Sequence, residues 1–101
     1  MKEKTSEYLS ILKKENVIFL NYLKAKFPIF HNSNFFFRDL QYGIKQFFEM
    51  KNLDITYPQS EKLAVEFGAY LESKDILKRV NDQGWKLNYT EFVTSKPGDP
   101  L

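Results

Sequence analysis

Apolar residues recur at spacings of three and four through most of this chain and switch to alternate positions only near its end. From Thr5 to Phe27, the residues Leu9, Leu12, Phe19, Leu20, Leu23 and Phe27 share one helical face. Ile11, Ile18 and Tyr22 fall on nearly the opposite face, and a helix apolar on two sides needs two partners. One is the rest of the domain. The other can be a second copy of the chain, which makes Ile11, Ile18 and Tyr22 candidates for a homodimer contact. The alternative is a break near Glu15 and Asn16, giving two shorter helices that each need one face.

Pro28 stops this first stretch, because the residue before a proline is pushed out of the helical region. Residues 29–34 read as a connection, and Asn32, Ser33 or Asn34 can cap a second helix from Phe35 to about Met50. Its inward stripe is Phe37, Leu40, Ile44, Phe47 and Phe48. The pattern Thr56-Tyr-Pro-Gln59 is that of a capping box with Pro58 in the first turn. It predicts a third helix to about Ser73, burying Leu63, Ala64, Phe67 and Leu71. Ile76 to Val80 and Trp85 to Tyr89 then form a hairpin, with a connection whose Gly84 can take a positive φ. Trp85, Leu87 and Tyr89 alternate with Lys86, Asn88 and Thr90, the period of a half-buried strand.

The expectation is therefore an α+β domain of three helices, the first one long, closed by a C-terminal β-hairpin. The 101 residues suffice for a single modest core. Residues 1–93 read as that one domain, and residues 94–101, with two prolines and a glycine, read as a flexible tail.

The order of helix, helix, helix and hairpin, with the hairpin following the third helix almost at once, resembles the winged-helix superfamily over roughly Thr5 to Phe92. Within it, Ala64-x-x-Phe67-Gly68-x-x-Leu71 followed by Ile76-Leu77-x-x-Val80 is similar to the last helix and strand of DEP domains. Phe36-Phe37-x-x-Leu40 is similar to the start of their second helix, although their long hairpin between the first two helices is missing. The superfamily resemblance implies DNA binding through the third helix. The narrower one implies binding to membranes or signalling receptors without catalysis.

Charge changes this picture. Helices that read base edges in the major groove favour Arg, Lys, Asn and Gln. The outward face of the third helix instead offers Glu61, Lys62, Val65, Glu66, Ala69 and Glu72, and from Ser60 to Lys74 two lysines oppose three glutamates for a net −1. Those glutamates would face phosphate repulsion. The nucleic-acid alternative rests on the hairpin, where Lys78, Arg79 and Lys86 can touch phosphates, and on the first 27 residues, whose six lysines outnumber three glutamates. The whole chain carries only +2. The reading preferred on these grounds is a protein-interaction module, with Val65 and Ala69 exposed between charges and Phe35, Tyr70 and Trp85 as aromatic anchors.

Aromatic residues reach 17% and cluster at Phe27, Phe30, His31, Phe35, Phe36 and Phe37. Stacking on single-stranded bases needs interleaved basic residues, and only Lys26 and Arg38 flank the run, so packing between helices is the expected role. At least one ring of the Phe35–Phe37 run should lie on a surface that meets a partner, since consecutive helical positions diverge by about 100°. His31 is the only histidine and there is no cysteine, so no metal or cofactor is expected. The glycines are scattered and no nucleophile elbow or phosphate loop is visible, so no catalysis is expected. The absence of cysteine fits a reducing compartment. With no apolar leader and no uncharged run of about 18 residues, a cytoplasmic location is expected and membrane binding is not.

Overall fold

A computed structural model describes residues 5–27 and 29–89. They form four helices and three strands: α1 (Thr5–Lys14), α2 (Asn16–Lys26), β1 (Asn34–Phe36), α3 (Phe37–Met50), α4 (Tyr57–Ser73), β2 (Leu77–Asn81) and β3 (Gly84–Leu87). The sheet is antiparallel with strand order β1-β3-β2, so the class is α+β. The tail expected at residues 94–101 lies outside the described residues.

The first helical stretch breaks at Glu15, as the second of the two readings held. Backbone bonds still cross the break, from Glu15 N–H to the Ile11 carbonyl and from Phe19 N–H to the Glu15 carbonyl, each at 2.8 Å. Asn16 Nδ2 takes the Lys13 carbonyl at 2.8 Å, the kind of side-chain competition that weakens a helix locally. Each half then finds its own support, α1 against α4 and α2 against α3. This accounts for apolar residues on two faces: Ile11 and Tyr22 both pack against the core from its edge.

All described elements share one core. Leu12, Phe19, Leu20, Leu23, Leu40, Ile44, Phe47, Phe48, Leu63, Phe67 and Leu71 are buried within it. Phe19 sits at its centre, edge-on to Phe47 at 5.1 Å and to Phe67 at 5.5 Å, the arrangement that the ring quadrupole favours.

β1 is the element that helical periodicity conceals. Asn34 to Phe36 pair with β3, so the caps proposed at Asn32, Ser33 and Asn34 are not used and α3 starts at Phe37. Its first turn is instead held by Asp39, which accepts from Phe36 N–H at 3.4 Å. The box at α4 forms as its spacing predicts: Thr56 Oγ1 accepts from Gln59 N–H at 3.2 Å, and Gln59 Oε1 accepts from Thr56 N–H at 2.8 Å.

In the hairpin, Asn81 Oδ1 accepts from Gln83 N–H at 2.9 Å, so an Asn side chain shapes the turn. Gly84 does not use the left-handed φ open to it. It is needed for space, because a Cβ there would lie 3.1 Å from both the Phe35 carbonyl oxygen and Phe36 Cδ1. Gly68 on α4 has a similar reason. A Cβ at that position would come within 2.9 Å of Trp85 Cζ2. The indole has little room to retreat, with the Phe35 ring at 6.1 Å and the Phe37 ring at 6.4 Å. Gly68→Ala should therefore lower unfolding free energy by about 1–3 kcal/mol in denaturant titrations, despite alanine's better helix propensity.

Candidate functional site

The hairpin and the end of α4 are joined by one carboxylate. Glu72 Oε2 accepts from Trp85 Nε1 at 2.6 Å, from Arg79 Nε at 3.0 Å and pairs with Arg79 Nη2 at 2.7 Å. The Arg79 guanidinium lies 5.2 Å from the Trp85 ring centre and also donates to the Asn81 and Asp82 carbonyls. Strand register explains why. Phe35, Trp85 and Arg79 are directly opposite one another across the three strands, so they share the face turned toward the helices.

This placement corrects two of the sequence-level candidates. Phe35 and Trp85 are interior, 1% and 2% exposed, and are not available as contact anchors. They point inward because alternation along a strand, not helical phase, sets their direction. Arg79 is exposed, with its guanidinium paired to Glu72. Glu72, expected on the outward face of α4, faces the hairpin instead.

Lys78 and Lys86 lie on the outer side of the sheet, directly opposite each other. Lys78 has Asp75 at 3.7 Å and Lys86 reaches the Asn32 carbonyl at 3.4 Å. Tyr70 is half-buried, stacked on Phe67 at 5.8 Å, with Lys13 and Lys74 over its ring at 5.1 and 5.6 Å. Val65 and Ala69 are exposed as expected, Val65 to 57%. Glu61, Lys62 and Glu66 surround them, and Tyr57 opens the same helix with its ring exposed. Periodicity alone did not mark Tyr57, because it sits in the capping turn.

Of the dimer candidates, only Ile18 is freely exposed, at 58%, beside the exposed Val17. Tyr22 lies against Phe47 at 5.5 Å with Lys26 over its ring. Burial, and secondarily the Glu49 charge, raise its hydroxyl pKa above the ordinary tyrosine value. The second apolar stripe is thus largely spent inside the monomer.

Phe36 is the residue that sequence reasoning overlooked. It is half exposed on the outer face of β1, beside an open cleft of about 410 Å³ lined among the described residues by Phe36, Phe37, Arg38 and Gln83. The signal was the expectation that one ring of the Phe35–Phe37 run must face outward. The strand turns Phe36 outward and Phe35, the anchor named from the sequence, inward.

His31 lies in a turn closed by Phe30 N–H donating to Ser33 Oγ at 3.0 Å, and its Nδ1 is buried with no hydrogen-bond partner among the described residues. No three His, Asp or Glu side chains converge among the described residues, and no helix there is long and apolar enough to cross a membrane. No family model, curated protein or solved structure matches this chain.

Two outcomes follow from this geometry. Glu72→Ala, which leaves the buried Trp85 N–H without an acceptor, should cost about 1–3 kcal/mol in denaturant unfolding. Arg79→Ala should cost under about 1 kcal/mol, and Glu72→Gln, which keeps an acceptor, should fall between them. For Tyr22, the folded chain keeps the hydroxyl protonated where an unfolded chain ionises it. Its stabilising contribution is therefore full below a pH of about 10 and is lost as pH rises through the raised value. Tyr22→Phe should lose less stability than the wild type between neutral and strongly alkaline pH.

Proposed function

We propose that this chain is a non-catalytic protein-interaction module of winged-helix type, and that its outward α4 face meets the partner. The element order of helices, β1, two helices and a hairpin, with strand order β1-β3-β2, supports the winged-helix part of the reading. The observation that carries the functional part is the division of α4. Its inner face, Leu63, Ala64, Phe67, Gly68 and Leu71, is consumed by the core, while Val65 and Ala69 remain exposed beside Glu61, Lys62 and Glu66, with Tyr57 exposed one turn before Glu61. An apolar stripe on a well-capped helix is a rigid surface that loses little entropy on binding. The flanking glutamates suit a partner with basic residues around an apolar anchor and disfavour a phosphate backbone.

Self-association would rest on the exposed pair Val17 and Ile18. Val17 and Ile18 offer far less than the roughly 800 Å² per partner of a standard interface. A sedimentation mass of 12.0 kDa would remove it.

Photo-crosslinkers at Val65 and Ala69, in cells of the source organism, should trap one discrete protein. Val65→Asp should abolish a complex reconstituted with that protein while leaving the far-ultraviolet spectrum unchanged. Micromolar binding of duplex DNA that falls steeply with salt, together with no adduct at α4, would overturn the reading.

A further inference from the structure

The outer face of the sheet carries a second surface. Opposite residues in antiparallel strands point the same way, and successive residues alternate. Asn34, Lys86 and Lys78 form one row across the three strands, and Phe36, Gly84 and Asn81 form another on the same side. Between Arg79 and Asn81 a bulge leaves Val80 out of the ladder and exposed. The result is a small platform of Phe36, Lys78 and Lys86, with Arg38 at its border on the first turn of α3.

Two features of this platform call for an explanation beyond the fold. Like charges directly opposite on a sheet are destabilising, yet Lys78 and Lys86 occupy one rung. Their partial relief comes from exposed Asp75 and a backbone carbonyl, and no described carboxylate pairs with Arg38. Phe36 lies across Gly84, whose missing side chain makes room for the ring, and is nevertheless 50% exposed. Covering a glycine does not require a ring left half open to solvent. The primary sequence separates Phe36 from these lysines, so the interleaving of aromatic and basic groups arises only when β1 pairs with the hairpin.

We propose that this face binds single-stranded nucleic acid, with a base stacked on Phe36 and neighbouring phosphates held by Lys78, Lys86 and Arg38. Base stacking on an aromatic ring combined with a basic track is the general chemistry of such sites. A duplex keeps its bases stacked inside and gives Phe36 nothing to stack on. An acidic peptide engages the lysines and leaves the ring without a role. The site shares no residue with the outward α4 face, so it stands or falls separately from the function proposed there.

The test is a fluorescence-anisotropy titration of the full chain with end-labelled oligothymidylate and oligouridylate of about 12 nucleotides, within the site sizes of small single-strand binders. Saturable binding of either one is expected, at least about tenfold tighter than that of a duplex of equal length, since only the single strand gains the stacked base. Three phosphate contacts predict a log–log salt slope of about −2, and Lys86→Ala should reduce its magnitude by about 0.7. Phe36→Ala should weaken binding about tenfold with the slope unchanged, while Phe36→Tyr, which keeps the ring, should bind as the wild type does. Val65→Asp should leave oligonucleotide binding intact. The proposal is overturned by absence of saturable binding, by equal affinity for duplex, or by a polyglutamate peptide competing as well as an unlabelled oligonucleotide. It is equally overturned if Phe36→Tyr loses as much affinity as Phe36→Ala.

Discussion

The fold depends on how one indole is seated. Trp85 is the contact through which a three-stranded sheet, too small to be stable alone, becomes part of a helical domain. Its ring needs the bare backbone of Gly68 on one side and the rings of Phe35 and Phe37 on others. Its N–H needs the Glu72 carboxylate, since a buried donor without an acceptor costs more than the bond itself contributes. Arg79 then neutralises that carboxylate from the edge of the same row. Four elements are fixed by a single side chain, and each contributes a group that only makes sense in relation to it.

From that seat the two faces of the sheet acquire their characters. The row containing Trp85 must face the helices, so its neighbours along each strand must face out. Lys78 and Lys86 are outward for the same geometric reason that Arg79 is inward. Three basic residues that look equivalent in the sequence therefore divide into one paired to Glu72 on the helix side and two on the outer side of the sheet. The helices divide in a comparable way. A turn at Glu15 lets α1 lean on α4 and α2 on α3, so two apolar faces serve one monomer.

Much of this was legible in the residues. The capping box at Thr56, the inward stripe of α4 and the alternation from Trp85 to Leu87 each follow from local spacing, and each forms. The turn at Glu15 was legible only as one of two options, because choosing between them depends on which helices lie alongside. β1 was not legible. Three residues inside a run of phenylalanines carry no period of their own, and their partner strand lies near the other end of the chain. Reading Asn34 to Phe36 as cap and helix leaves the choice among the three rings open, with Phe35 as the anchor in place of Phe36. The same omission hid the role of Gly84, which answers to the backbone of β1 and not to its own turn. Val65 and Ala69 were legible as outward because a long amphipathic helix reveals both faces at once, whereas Glu72 answers to the hairpin. The sheet platform was not, since it is assembled from segments that only strand pairing brings together.

The strand order has a further consequence for the chain's behaviour in a crowded solution. With β3 in the middle, β1 and β2 are both edge strands among the described residues, and unpaired edges invite other chains to add to them. β1 is only three residues long before the chain turns into a helix, too short to template much pairing. β2 is longer, but it is bulged at Val80 and carries Lys78 and Arg79, the features by which native edges discourage aggregation. Lys78, outward on this edge strand, thus has a second use: it discourages other chains from adding to the exposed backbone of β2.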